Sequence, residues 1–347
     1  MAANTASARR PKPKRRSRHT VSRILSGLLA LVALLGVIAR SLPSDLQSLP
    51  YVPIVVSATP WFAVAALIAL LFAVISRRWG VALLAVACIG LEVWWQYPFF
   101  AAQTQLPSEA VAAVTAGQAA TDDRYARVMT FNVYKGQADP QAIVEAVREE
   151  RIEVLALQET TDEFVSALND ADIGAYLPYA QVSSSDGVYG NGLWSATPLA
   201  DPADDDVNSS ASFMPGGTVT LGDVPVRFVS VHTTAPVPGY WDLWRRSLDE
   251  LAMMRADTGT KYIFMGDFNA TTDHTPFRNF LGDRFRDAVQ QSGHGFAFTW
   301  PTDREWLPRF AGIDHIVVDR GMTTGQCEVV EIAGSDHAAL LATVAVS

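Results

Sequence analysis

The residues of this chain that could bind a metal, move a proton or hold a phosphate stand at the ends of short apolar runs. Asn132 follows VMTF (128–131), Glu159 follows VLALQ (154–158), and His232 closes VPVRFVSVH (224–232). Asp267 and Asn269 follow YIFMG (262–266), Asp314 opens the run to Val318, and Asp336 and His337 precede ALLATVAV (339–346). A polar group at the edge of a buried strand is costly unless it is paired or holds an ion. One such acid reads as a helix N-cap or a turn former. A whole set of Asp, Glu, Asn and His points to one convergent site. Its oxygen donors suit Mg²⁺ or Mn²⁺, and neither thiolates nor paired histidines at zinc spacing occur. Cys88 and Cys327 are far apart in sequence and imply no disulfide framework.

The elements that must position these residues begin at Arg127. Short apolar runs there alternate with helical segments such as the one opened by Asp139-Pro140, an N-cap followed by proline, with Ile143, Val144 and Val147 as its apolar stripe. Such alternation over residues 124–347 predicts one α/β domain around a large sheet core.

The ordered set FNVY, LQE, GNGLWS, VHTTAP, GDFN, TW, IDH and SDH resembles the endonuclease/exonuclease/phosphatase superfamily, to which DNase I-like nucleases belong. The resemblance implies a four-layer sandwich of two mixed β-sheets flanked by helices, and a metal-dependent phosphatase or phosphodiesterase. It makes Glu159 and Asn132 metal-site residues, with Glu159 the direct carboxylate ligand and Asp336 a second contact. Asp267 would orient or deprotonate the attacking water and Asn269 would hold a phosphoryl oxygen. His337 with Asp314 would form the His–Asp pair beside the scissile phosphate, and His232 would donate to the phosphate. Asn191 would organise the site, but the carboxylate that buttresses His232 in the family has no counterpart identifiable here.

Other polar residues read as structural. His315 should alternate to the opposite sheet face, His274 and His294 fall in loops expected to be solvated, and Asp204-Asp205-Asp206 reads as a surface loop. Cys327 reads as a small core residue. The aromatic segment 236–244 (PVPGYWDLW) reads equally as the start of a helix to Ala256 or as a rim touching lipid.

The first hundred residues belong to a different solvent. They carry 11 Lys/Arg and only Asp45 and Glu92 as acids, leaving a net charge of −18 on residues 101–347. A basic, acid-free tail (1–23) is expected to be disordered. Apolar stretches at 21–39, 54–75 and 79–95, the last running on to Phe100, predict three transmembrane helices within a 24–100 anchor, since a bilayer core of ~30 Å takes about 20 helical residues. A signal peptide is the lesser reading of the first. The basic tail and Arg77-Arg78 predict a cytoplasmic side for both, which puts everything after Phe100 outside the cell membrane. Trp94, Trp95, Tyr97, Phe99 and Phe100 then form an aromatic belt, to which Glu92 would snorkel. Residues 101–123 read as a tether.

An acidic domain without a basic cluster is poorly suited to nucleic acid. The partners implied are the lipid bilayer and a lipid-linked or small phosphoester. The layout resembles VanJ-type teicoplanin-resistance membrane proteins, for which the implied substrate is a polyprenyl pyrophosphate or another envelope lipid intermediate, an antibiotic-resistance activity. The alternatives are an external nuclease, which would need a groove built from Arg245, Arg246 and Arg255, a sphingomyelinase-like lipid phosphodiesterase, or a non-enzymatic binding module with a broken site.

Overall fold

The computed structural model describes residues 20–115 and 120–346, so most of the expected polar tail lies outside the described residues. The chain forms two compact units, one of Met1–Val37 with Pro60–Val93 and one of Ile38–Thr59 with Trp94–Ser347.

The first unit is made from most of α1 (Thr20–Ser41), α4 (Thr59–Ile75) and α5 (Trp79–Gln96); the last turns of α1 and α5, with α2 (Ser44–Gln47) and α3 (Val52–Ser57), belong to the other unit. Small residues bring its helices together: Ala30, Ala69 and Ala85 are fully or nearly fully buried, and a Cβ on Gly36 would overlap the Phe62 ring. Large apolar side chains such as Leu28, Leu35, Leu71 and Leu83 are exposed. Among the described residues two helices are long and apolar enough to cross a membrane, Thr20–Ser41 and Trp79–Phe100. The expected middle span is broken, and α4 retains 17 residues. The cause is Pro60, which has no N–H for the Val56 carbonyl; that oxygen instead accepts Thr59 Oγ1 at 2.6 Å, and the chain is interrupted at Ala58. Glu92 is buried, contrary to the snorkelling expected of it.

The second unit is built on two six-stranded sheets. One has the order β11 (Thr323–Val330), β12 (Ala339–Ala345), β1 (Tyr125–Asn132), β2 (Val154–Gln158), β4 (Asn191–Ser195), β3 (Tyr179–Ser183). The other runs β5 (Ala200–Ala203), β6 (Gly216–Leu221), β7 (Val224–His232), β8 (Tyr262–Asp267), β10 (Asp314–Asp319), β9 (Phe285–Asp287). Val128, Val154, Ala156, Phe228, Ile263, Met265, Ile316 and Leu340 interlock between the sheets. The alternate residues Met129, Phe131, Leu155 and Leu157 face outward with α7 (Pro140–Glu150) and α8 (Asp162–Asp170). Val229, Val231, Phe264 and Val317 face outward with α9 (Trp241–Met253) and α10 (Thr275–Leu281). The result is the expected four layers, with β1, β2, β4, β8, β10 and β12 buried on both faces, which is why those strands read as continuous apolar runs, and with β3 and β5 more exposed.

The segment after the third apolar stretch is docked where a tether was expected. Phe99 packs on Phe296, Gln103 N–H donates to Gln291 O at 3.0 Å in α11 (Ala288–Ser292), and Leu106 fills the space over Gly325. The helix α6 (Ser108–Thr115) buries Ala110 and Val114.

Candidate active site

Each sheet has one central parallel pair, β1 with β2 and β7 with β8, flanked by antiparallel strands. Parallel strands therefore deliver their last residues, and antiparallel strands their first, to the same end of the sandwich. Asn132, Glu159, His232 and Asp267 come from the ends of β1, β2, β7 and β8. Asn191 and Asp314 begin β4 and β10, and His337 precedes β12. On β1, β4, β7, β8 and β10 the site residue has the parity of the inter-sheet core (Val128, Thr130, Asn132; Ile263, Met265, Asp267), so those side chains point into the seam between the sheets, while Glu159 and His337 lie just outside β2 and β12. Two glycines permit the close approach. A Cβ on Gly266 would stand 1.8 Å from Val231 O, and one on Gly190 would stand 2.0 Å from Thr160 O.

Asp267 Oδ2 is the hub of the site. It accepts Asn132 Nδ2 at 3.1 Å and Asn269 Nδ2 at 3.3 Å, and lies 3.6 Å from His232 Nε2 and 3.7 Å from His337 Nε2. Burial pushes the Asp267 carboxyl up, as does the Asp314 charge, while the two histidines pull it down; the result is about 6. His337 Nδ1–H donates to Asp314 Oδ2 at 2.8 Å. Burial opposes the imidazolium, but the charges of Asp314 and Asp267 prevail and raise His337 to about 10. His232 Nδ1–H donates to the Val188 carbonyl at 3.0 Å. The missing carboxylate partner is thus a backbone oxygen, a contact without a side-chain signal in the sequence, and it leaves Nε2 facing Asp267 and Glu159 Oε1.

Glu159, at a positive φ of 61°, is cradled by donors: Lys135 N at 2.9 Å on Oε2 and Asn132 Nδ2 at 3.2 Å on Oε1. Asn191 donates to Ser212 Oγ and Phe213 O and so pins the 212–213 loop to the site. Ser335, quoted in the SDH motif but given no role, donates to Asn132 O at 2.7 Å and accepts His337 N at 3.0 Å, joining the two corners. Asn269 donates to Thr233 O, and its own carbonyl accepts Trp244 Nε1 at 2.9 Å. The aromatic segment before Ala256 thus begins α9 and sends Trp244 inward behind the site.

Asp267, Asp314 and His337 form a buried Asp/Asp/His group, with one potential ligand atom from each within 4.8 Å of the others, that could bind a metal. Asp314 Oδ1 is buried without a hydrogen-bond partner, the kind of oxygen a cation would satisfy. Beside the group stand Glu159, joined to Asp267 through Asn132 Nδ2, and Asp336, whose carboxyl is raised by burial and which lies 4.0 Å from His337 Nε2. The donor set is hard oxygen with imidazole and fits a divalent cation.

The remaining expectations divide. His315 does turn to the outer face, where Nδ1 meets Asp287 at 2.7 Å and Nε2 donates to Ala270 O at 2.8 Å. His294 is exposed as expected. His274 is fully buried, contrary to the solvated loop expected, because it bridges two backbone segments. Asp206 is spent on Arg227, Asp204 on Gln181, and Asp205 on its own turn, which makes that run a structural loop. Cys327 packs at the edge of the core.

The model of the Endonuclease/Exonuclease/phosphatase family matches residues 129–337, more than half of the chain. Solved structures share the fold at low identity. Humanized D. rerio TDP2 is 16% identical with a TM-score of 0.53, the match covering 64% of this chain and 99% of that one. A family protein from Leptotrichia buccalis is 15% identical with a TM-score of 0.52, covering 63% and 99%. D. rerio TDP2 complexed with single strand DNA product is 15% identical with a TM-score of 0.52, covering 64% and 99%. No curated protein matches the chain in sequence. With its motifs in order and its strand-end residues gathered at one end of two packed sheets, the chain belongs to the endonuclease/exonuclease/phosphatase family, a hydrolytic family that acts on phosphoester bonds and generally depends on a divalent metal.

Proposed function

We propose that the chain is a Mg²⁺- or Mn²⁺-dependent phosphoester hydrolase that works at the outer face of a membrane on a lipid-linked phosphate, pyrophosphate or phosphodiester. The observation that carries the reaction class is the convergence on Asp267 Oδ2 of Asn132, Asn269, His232 and His337. Glu159, Asn132 and Asp336 would hold the cation, with the Asp314 side of the site as its other border. When bound, the cation supplies charge neutralisation at the phosphoryl oxygens. Asp267, ionised above about pH 6, aligns a water and takes its proton. His337, kept protonated by Asp314, donates from Nε2 to the phosphoryl group as charge develops, and His232 and Asn269 present further donors.

Lipid as the substrate source is supported by the apolar helices α1, α4 and α5, whose exposed large side chains suit a bilayer, and by the likeness of this layout to VanJ-type proteins, which suggests a polyprenyl pyrophosphate. The arginine counts still favour an external catalytic unit. Nucleic acid is the second reading, favoured by the DNA product held in the TDP2 structure. Against it, Arg245 is paired with Asp249 and Asp45, and Arg255 Nε donates to Ala252 O, which leaves these two less free to hold a phosphate.

The test is phosphate release by the full-length protein in lipid nanodiscs, with lipid pyrophosphates, lipid phosphodiesters and DNA compared under chelator, Mg²⁺ and Mn²⁺. Hydrolysis of lipid pyrophosphate restored by the metal supports the proposal, and full activity in chelator overturns it. Glu159→Gln should lower metal affinity or turnover by ~10-fold or more, given what loss of even outlying metal-site partners costs. A fluorescent reporter fused after Ser347 that lights up in the cytoplasm would overturn the external site.

A further inference from the structure

We infer that the stretch Ile38–Thr59, together with Gln96, is a positioning element for the loop that carries Asn269. The loop runs from Asp267, at the end of β8, to Thr275, at the start of α10. Its first half is held by neighbours in the sandwich: Trp244 Nε1 on Asn269 O and His315 Nε2 on Ala270 O. Its second half is held by residues 177 to 233 positions earlier in the chain. Asp273 is 3% exposed and accepts Arg40 Nε at 2.6 Å and Gln96 Nε2 at 3.1 Å. Arg40 in turn lies 4.1 Å over the Trp95 ring. Gln47, fully buried, accepts Thr275 N at 2.7 Å and donates to Ala39 O and Arg40 O. Thr275 Oγ1 donates to Leu42 O at 2.8 Å.

His274 joins the two halves. Its Nδ1 accepts Thr271 N at 2.8 Å, so Nε2 carries the proton and donates to Pro53 O at 2.9 Å. Its ring packs edge-on to Trp244, 5.1 Å between centroids, and Trp244 is the side chain that holds Asn269. Burial pushes His274 down to about 4, against the upward pull of its two backbone partners, and keeps it neutral.

The physical case is that a buried carboxylate tolerates neither loss of its cation nor water-poor surroundings without one. If Arg40 is removed, Asp273, which lies four residues past Asn269 and six past Asp267, loses its ion-pair partner, and the loop moves with it. A displacement on the order of 1 Å at a catalytic group is enough to cost rate. Arg40, Gln47 and Gln96 touch neither the site nor the reacting atoms; they act through the loop. A catalytic unit cut away at residue 101 would lack all three, although it would retain every motif residue.

The experiment uses the full-length protein in detergent with Arg40→Ala, Arg40→Lys and the milder Gln96→Ala, and Arg124→Ala, which breaks an exposed pair with Asp223, as the control. Two readouts are taken: amide hydrogen exchange over 268–275, and steady-state kinetics on a soluble p-nitrophenyl phosphodiester with Mn²⁺. Arg40→Ala should lose protection through Asn269 and lower kcat by ~10–100-fold, the span seen when an outlying partner of a catalytic group is lost, with KM little changed. Arg40→Lys should recover much of both, Gln96→Ala should lose less than Arg40→Ala, and the control should match wild type. Exchange confined to 38–59, or faster exchange at 268–275 with unchanged kcat, would overturn the inference. The kinetic arm rests on the hydrolase reading. If the wild type cleaves no phosphoester, that reading fails, while the exchange arm still decides whether the segment holds the loop.

Discussion

Strand β10 carries two Asp–His pairs on opposite faces, nearly identical in length and different in purpose. On the inter-sheet face Asp314 holds His337 Nδ1 at 2.8 Å; on the outer face Asp287 holds His315 Nδ1 at 2.7 Å. All four residues are buried. The difference lies at the far nitrogen. His315 Nε2 is used up on Ala270 O, amid the rings of Phe268 and Phe277, so both its donors are committed, one to the Asp287 carboxylate and one to backbone. His337 Nε2 reaches only Asp267 at 3.7 Å and Asp336 at 4.0 Å, beyond hydrogen-bond length, and so has a donor to offer. An Asp–His pair is therefore not a site in itself. It becomes one when its outer nitrogen is kept charged and unspent in a polar seam.

The comparison can be broken most directly at its active side. His337→Ala and Asp267→Asn should each lower the turnover of folded protein by roughly 10²–10⁴-fold, the span typical of acid–base groups. Near wild-type turnover in either would mean the chemistry is assigned to the wrong residues. The structural side should show the reverse balance. His315→Ala strands the Asp287 carboxylate in the core and should cost about 3–5 kcal/mol of stability, read as a fall in the denaturant midpoint, with a loss of kcat far smaller than that of His337→Ala. If His315→Ala matched His337→Ala in kcat without losing stability, the two pairs would not differ as described.

The smallest effect is a titration. In metal-free protein the His337 ring should lose its proton at about 10, because the neighbouring carboxylates favour the charged form over the neutral one. Asp314→Asn removes one of those charges and should move the midpoint down, toward an ordinary imidazole. Histidine-selective NMR across that pH range checks it. In activity the sign is that Asp267 must be ionised, so rate rises as pH passes about 6.

Much of the site could be read from the chain alone. Glu159, Asp267, Asp314 and His337 are each a costly residue type at the end of an apolar run, and that local conflict is visible without coordinates. The turn of His315 to the other face followed from strand alternation alone. His232 shows where such reading stops, since its partner is the carbonyl of Val188, and a backbone atom leaves no trace in residue type. His274 shows the same from the other side. A histidine in a loop reads as solvated, and only the arrival of Pro53, 221 positions away, buries it.

The amino-acid sequence by itself determined the apolar helices, the alternating strands and the identity of the chemical groups, because each depends on neighbours within a few residues. Tertiary structure decided which of those groups meet. Two parallel pairs flanked by antiparallel strands put the last residues of β1, β2, β7 and β8 beside the first residues of β4 and β10. It also decided that Ile38–Thr59 and residues 97–115 belong to the catalytic unit, where the sequence reads as two span ends with a loop between them and as an aromatic belt running into a tether. Those segments are short and only weakly patterned. What orders them is burial against a surface assembled from distant parts of the chain, and no local periodicity can encode a partner more than two hundred residues away.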